Sequence, residues 1–424
     1  MKKTKVLFAS LLGLFSLSLM SCSLFNDDDI AIHNEFKAYE PTEEQTGVKA
    51  GDVYAKDVSD VPNTYCFKNI SYATNESVLN TYKTGGANEN EFNVNNNEDY
   101  YANKSKNNYD LYVPKTIDKT KNNTIILFIH GGAWVSGFKT DVNQYVYEFA
   151  KRGYVSATIK YSLLKRSMDD SSLSLFRDLD EIDACINSIK NVLKNDLGFD
   201  DTKLNLVIGG ASSGAHLSML YSYSRGDKCP LPIKFIIDAV GPVDIKASAW
   251  KRFINASDEV LEAGITKSAI DTQEAASNTM QLIVSGEEYR WNEYQTAKIA
   301  NGMCGIPNTV ESIQESSTDG ENIDNPNAAS NSMTKVNGGE DLLSVTYWIN
   351  NTTNRYPVIC AYAGRDSIVG INQYATLEPV LEAKSINHEF IYFKNSNHMD
   401  ISKESDETKY NELINKIINW CENL

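Results

Sequence analysis

Basic residues are the scarce charge in this chain of 424 residues: 40 Lys and Arg stand against 56 Asp and Glu, a formal net charge of -16 at pH 7. Such a surface neutralises no phosphate backbone, which excludes nucleic acid as a partner. Its plainer consequence is solubility. Histidine is scarcer still. With five in total, any imidazole chemistry belongs to His33, His130, His216, His388 or His398. None of the seven cysteines sits in a CxxC pair or a Cys/His cluster, so no metal site is expected.

Long apolar runs are missing as well, apart from one at the start. Lys2, Lys3 and Lys5 precede the apolar stretch Val6 to Met20, and small residues follow, the layout of an export signal. The run is too short to cross a bilayer comfortably. Leu19, Met20, Ser21 and Cys22 resemble a bacterial lipobox, which implies cleavage before Cys22, lipidation of Cys22 and attachment to the cell envelope outside the cytoplasm. An uncleaved anchor or an ordinary secretory signal is the alternative. Export leaves Cys66, Cys185, Cys229, Cys304, Cys360 and Cys421 in an oxidising setting, an even number that allows one or more disulfides; the spacing fixes no connectivity.

Residues 23–60 are polar, with Asp27, Asp28 and Asp29 in a row, and read as a solvated tether. Phe67 to Ala73 reads as a strand. Residues 74–107, rich in Asn, Glu and Lys, read as a surface insertion. From Thr124 onwards strand and helix alternate regularly, which predicts an α/β fold, a mainly parallel sheet with helices on both faces. The strand candidates are Thr124 to His130, Tyr154 to Tyr161, Leu204 to Gly209, Lys234 to Gly241, Pro357 to Gly364 and Glu389 to Lys394. Apolar stripes at spacings of three and four mark helices near 141–151, 182–193 and 410–421. Between Trp250 and Asn350 the alternation breaks. Short helices and a polar loop are expected there, forming a lid over the C-terminal edge of the sheet, where open α/β sheets bind ligands; a purely structural insertion is the alternative.

The stretch Leu204 to Leu220 carries an apolar strand into Gly210, Ala211, Ser212, Ser213 and Gly214 and on into a helix. This is the GxSxG pattern of a nucleophile elbow, a strained turn that only small neighbours accommodate. A serine hydroxyl is a weak nucleophile, so it needs a base, and the base needs a group to fix its tautomer. Asp366 is the first carboxylate beyond the strand ending near Gly364, and His398 lies in the polar loop after the next strand, the order serine, acid, histidine that such a fold uses. Asp244 also follows a strand and is the rival acid. His33 falls in the tether, His388 begins a strand, and His216, on the helix that begins after Ser212, reads as a satisfied packing histidine. His130 opens the segment His130, Gly131, Gly132, Ala133, Trp134, an HGGG-type loop whose amides form half of an oxyanion hole. Gly132 and Ala133 are the favoured donors, with Gly131 as alternate, and the Ser213 amide completes the hole. His130 is expected to brace this loop rather than to transfer protons.

With HGGAW, GGASSGAHL, GPVD, YAGRDSIVG and NSNHMD in view, residues 108–424 resemble the α/β-hydrolase superfamily, nearest to hormone-sensitive-lipase-like carboxylesterases and the BD-FAE type of acetyl xylan and feruloyl esterases. Ser213 stands where alanine is common after the nucleophile, and Ala133 where a third glycine is common. The resemblance implies a serine carboxylesterase acting on a small-molecule or saccharide ester, without metal or organic cofactor. HGGAW also resembles the HGGxW loop of kynurenine formamidases, so an amidase or peptidase on the same scaffold is the alternative, and a surface-anchored binding protein without activity is the third reading.

Overall fold

The computed structural model describes residues 53–55, 61–72, 108–164, 175–245, 252–254, 272–274, 300–304, 339–366 and 368–424. Its centre is a nine-stranded sheet. In chain order the strands are β1 (Val53–Ala55), β2 (Thr64–Ser71), β3 (Asn108–Pro114), β4 (Asn123–Ile129), β5 (Val155–Lys160), β6 (Leu204–Ala211), β7 (Ile233–Ala239), β10 (Val358–Ala363) and β11 (His388–Phe393); a separate antiparallel pair is formed by β8 (Arg252–Ile254) and β9 (Thr272–Glu274). The sheet runs in the order β1, β2, β3, β5, β4, β6, β7, β10, β11. The pairs from β5 to β11 are parallel, and those joining β1, β2, β3 and β5 are antiparallel. This is the α/β-hydrolase arrangement.

Hydropathy explains the layering. Every residue of β4 and of β10 is buried, as strands covered on both faces must be. The cover comes from α1 (Asn143–Lys151), α2 (Phe176–Asn191), α3 (Ser213–Arg225), α6 (Asn372–Ala383) and α7 (Glu407–Asn423); α1, α2 and α7 each bury one mainly apolar stripe, α6 buries apolar and polar residues together, and α3 is buried on all sides from Ser213 to Tyr223. In α7 the stripe is Leu413, Ile414 and Ile417, all without exposed surface.

Two expectations change, and the disulfide question closes. The end of the tether is structured, because Val53–Ala55 pairs antiparallel with β2 and forms the sheet's edge. Among the described cysteines Cys66, Cys185, Cys229, Cys304, Cys360 and Cys421, no disulfide is formed. The 250–350 insertion also ends earlier than its polar composition suggests. Gly339–Leu343 (α4) and Val345–Asn351 (α5) are helices of the layer itself, with α5 packed on α3 and α6. Leu343, Val345 and Ile349 are fully buried. Lifting three such side chains into water would cost roughly 5 kcal/mol or more, too much for a moving lid. Cys22, the tether to residue 52, the 74–107 insertion and most of residues 246–338 lie outside the described residues.

Candidate active site

The sheet delivers three side chains to one rim. Ser212 follows the last residue of β6, Asp366 lies just past β10, and His398 lies just past β11. The Ser212 hydroxyl stands 2.9 Å from His398 Nε2, to which it donates, and His398 Nδ1–H donates to Asp366 Oδ2 at 2.7 Å. The other carboxylate oxygen of Asp366 accepts from the amides of Ile368 and Val369 at 2.8 and 2.9 Å. Both oxygens are thereby held, and the carboxylate cannot turn from the imidazole. The Asp366 side chain has no exposed surface, and that of His398 is nearly covered.

Ser212 is held in a left-handed conformation, φ 54° and ψ -123°. A non-glycine residue there is strained and persists only where its surroundings dictate it. Here they do. A Cβ at Gly214 would lie 2.2 Å from the Ile129 carbonyl oxygen, and one at Gly210 would lie 2.4 Å from the Gly214 carbonyl carbon. The first turn of α3 thus sits directly on β4, and the serine is raised at the bend.

The directions of the Gly132, Ala133 and Ser213 amides follow from the carbonyls opposite them, since a trans peptide points its N–H away from its C=O. The Gly131 carbonyl accepts from His130 Nδ1–H at 2.7 Å, which aims the Gly132 amide away. The Gly132 carbonyl accepts from the amides of Val135 and Ser136 and from the Ser136 hydroxyl at 2.9 Å, which aims the Ala133 amide outward. The Ser212 carbonyl accepts from the His216 amide at 3.1 Å, so the Ser213 amide points out of the start of α3, where no intrahelical acceptor exists and the helix dipole is positive. The loop abuts the elbow: a Cβ at Gly131 would be 3.1 Å from Ser212 Cβ. Gly132, with φ 119°, carries the turn that brings it there.

His130 is wholly buried, stacked on Tyr161 with ring centroids 4.4 Å apart, and burial lowers its pKa to about 4. It is a neutral brace for the Gly131 carbonyl. Asp244, the rival acid, is committed elsewhere: its carboxylate accepts from Ser344 Oγ at 2.8 Å and Thr346 Oγ1 at 3.4 Å at the start of α5. His388 bonds the Ile386 carbonyl near the opposite end of β11, and His33 lies outside the described residues.

One titratable group beside the site has no signal in the sequence, because it sits inside an apolar strand. Asp238, on β7, is fully buried, and its carboxyl is raised to about 7, chiefly by burial. Gly241 N–H donates to Oδ1 at 2.8 Å, while Tyr362 Oη lies 2.8 Å from Oδ2 and 2.6 Å from the Gly241 carbonyl. A single phenolic hydrogen cannot serve both oxygens. With Asp238 protonated, the carboxyl donates to Tyr362 and Tyr362 donates to Gly241, and every partner is satisfied. The loop so held includes Val240, at φ 50° a strained β-branched residue. The folded pKa lies above the ordinary carboxylate value, so the stabilisation is full below about pH 4 and is lost as pH rises through about 7. Asp238→Asn keeps the neutral donor and acceptor at all pH. Its stability relative to the parent is expected to rise between pH 4 and pH 8, on the order of 3 kcal/mol by linkage. Parallel Tm profiles for the two proteins across that range would contradict this.

Residues 109–284 match the family model BD-FAE. Among curated proteins the chain is similar to a probable isoprenylcysteine alpha-carbonyl methylesterase of Arabidopsis thaliana, 28% identical over 128 residues, which is 30% of this chain and 28% of that protein. The matched segment is thus little more than a quarter of the relative's length. Among solved structures it is similar to a truncated form of a carbohydrate esterase from gut microbiota, with 15% identity, a TM-score of 0.49, and 88% of this chain and 98% of that chain covered. It is also similar to esterase B from Lactobacillus rhamnosis, with 13% identity, a TM-score of 0.47, and 100% of both chains covered.

Proposed function

We propose that the protein is a serine carboxylesterase that hydrolyses a small or carbohydrate-linked acyl ester through an acyl-enzyme intermediate. The observation that carries the reading is the hydrogen-bonded chain from Ser212 through His398 to Asp366, at 2.9 and 2.7 Å, with the serine raised on its strained turn. As Ser212 Oγ attacks the ester carbonyl, its proton passes to His398 Nε2, and Asp366 offsets the charge that forms on the ring. The carbonyl oxygen becomes an oxyanion facing the amides of Gly132, Ala133 and Ser213, with the Gly131 amide as alternate. Collapse expels the alcohol, which takes the proton from His398. Water, activated by the same imidazole, then releases the acid and restores Ser212.

The test is a turnover screen of esters and anilides sharing one acyl group, across acyl chain length, with acetylated and feruloylated saccharides included. Ester turnover is expected to exceed anilide turnover by at least about 100-fold, because an amine leaving group must be protonated before it can depart. Anilide turnover equal to that of the ester would replace this reading with an amidase. Lipidation at Cys22, on an envelope-facing enzyme, belongs to the same proposal; Cys22→Ser should move the protein from the membrane fraction to the soluble one.

A further inference from the structure

The loop that carries Gly132 and Ala133 is under strain and needs restraint from outside itself. Ala133 and Trp134 have φ of 51° and 63°, and a non-glycine residue in that region costs roughly 1–2 kcal/mol. One restraint is backbone: the Leu164 amide donates to the Trp134 carbonyl at 2.8 Å. The other is a side chain. The Trp134 indole N–H donates to His216 Nδ1 at 3.2 Å, with the rings edge to face at 5.2 Å and 85°. His216 sits in the first turn of α3, and its other nitrogen lies 2.8 Å from the Leu343 carbonyl at the end of α4. The tautomer follows from the partners. An indole nitrogen only donates, so Nδ1 carries no hydrogen; a carbonyl only accepts, so Nε2–H must donate. His216 has no exposed surface and Trp134 is 1% exposed, so water can replace neither bond.

We propose that His216 is a positioning residue for the oxyanion hole: its neutral imidazole ties the loop bearing Gly132 and Ala133 to the nucleophile's own helix and, through the Leu343 carbonyl, to the end of α4. The side chain of His216 thus adds a hydrogen-bonded link between the loop and the helix that follows Ser212, beside their direct backbone contacts. The proposal rests on the ester-hydrolysis reading for its catalytic consequence. Burial, which lowers the His216 pKa to about 4, keeps the ring in the neutral form that both bonds require.

His216→Phe keeps an aromatic ring of similar size but removes both the acceptor and the donor. It is expected to lower kcat by about 10- to 100-fold, below the loss for deleting a donor outright, with KM within about threefold of the parent. His216→Gln, whose amide oxygen can accept from Trp134 and whose amide nitrogen can donate to Leu343, should recover most of the loss. Trp134→Phe should match His216→Phe, and the double variant should lose no more than either single one. A second readout is free of turnover. In a Ser212→Ala background the Trp134 indole N–H should be protected from hydrogen exchange, and His216→Phe should speed that exchange at least tenfold. Unchanged kcat and unchanged indole exchange in His216→Phe would overturn the proposal, as would additive losses in the double variant. If His216→Phe does not fold, Trp134→Phe and His216→Gln decide: a full loss in the first with recovery in the second supports the tie, and equal activity in all three proteins sinks it. A parent that hydrolyses no ester, yet whose indole protection depends on His216, would remove the esterase reading and leave the structural tie standing.

Discussion

Ser212→Ala is expected to lower turnover of a short acyl nitrophenyl ester by at least about 10⁴-fold while leaving Tm within a few degrees of the parent. The expectation joins two features of the elbow. The hydroxyl donates to His398 Nε2 at 2.9 Å, so its loss removes the nucleophile and the proton that the imidazole is placed to accept. The strain at φ 54° is a property of the backbone and of its small neighbours, and alanine tolerates it as well as serine does. What survives in the variant is the oxyanion donors and the imidazole, enough for weak water-based hydrolysis. Asp366→Asn should fall nearly as far, by about 10³- to 10⁴-fold, because an amide no longer demands the tautomer with hydrogen on Nδ1. A Ser212→Ala protein that keeps turnover within tenfold of the parent would remove Ser212 as nucleophile and the esterase proposal with it.

The parts of this site visible in sequence are those whose chemistry requires a residue type at a strand end. Strands buried on both faces leave near-continuous apolar runs, so β4, β6 and β10 are legible to within a residue or two, as is the partly buried edge strand β11, and the first nucleophile, carboxylate and imidazole past them mark the rim. The glycines of HGGAW and GGASSGAHL are legible because only a missing side chain fits where the loop and elbow touch. The remainder depends on contacts that leave no local trace. His216 and Leu343 are far apart in sequence, and nothing around either one announces the other. Asp238 interrupts the apolar run of β7 with a residue type that ordinarily marks a surface, and it is tolerated because Tyr362, from β10, and Gly241 supply its partners. The end of the 250–350 insertion is hidden because α4 and α5 are short helices that follow a polar stretch, and only the burial of Leu343, Val345 and Ile349 identifies them as core. The absence of disulfides among the described cysteines has a simpler reason. Five of the six thiols are buried in a core that packs them as small apolar groups, and Cys229 is half-buried against it.

Gly214→Ala brings the two strands of argument together, because one methyl group tests both the packing and the placement of the nucleophile. By helix propensity alone the change would stabilise α3, by at most about 1 kcal/mol. The added carbon, however, would lie 2.2 Å from the Ile129 carbonyl oxygen and 2.5 Å from the His130 carbonyl oxygen. Both are backbone atoms, at the end of β4 and the start of the oxyanion loop, and β4 is hydrogen-bonded on both sides, to β5 and to β6. Neither can swing aside as a flexible side chain would. Overpacking of this kind costs about 1–3 kcal/mol where neighbours yield, and the upper end applies where they do not, so the clash outweighs the propensity gain. The net result expected is a destabilisation of about 2 kcal/mol, read as a lower Tm or denaturant midpoint. The helix must also back away from β4, carrying Ser212 and the Ser213 amide with it. A displacement near 1 Å at reacting atoms costs about 100-fold in rate, so kcat should fall by that order with Ser212 still present. A variant that retains the parent's Tm and kcat would mean that α3 does not press on β4 as described, and the account of why Ser212 adopts its strained backbone would have to be abandoned.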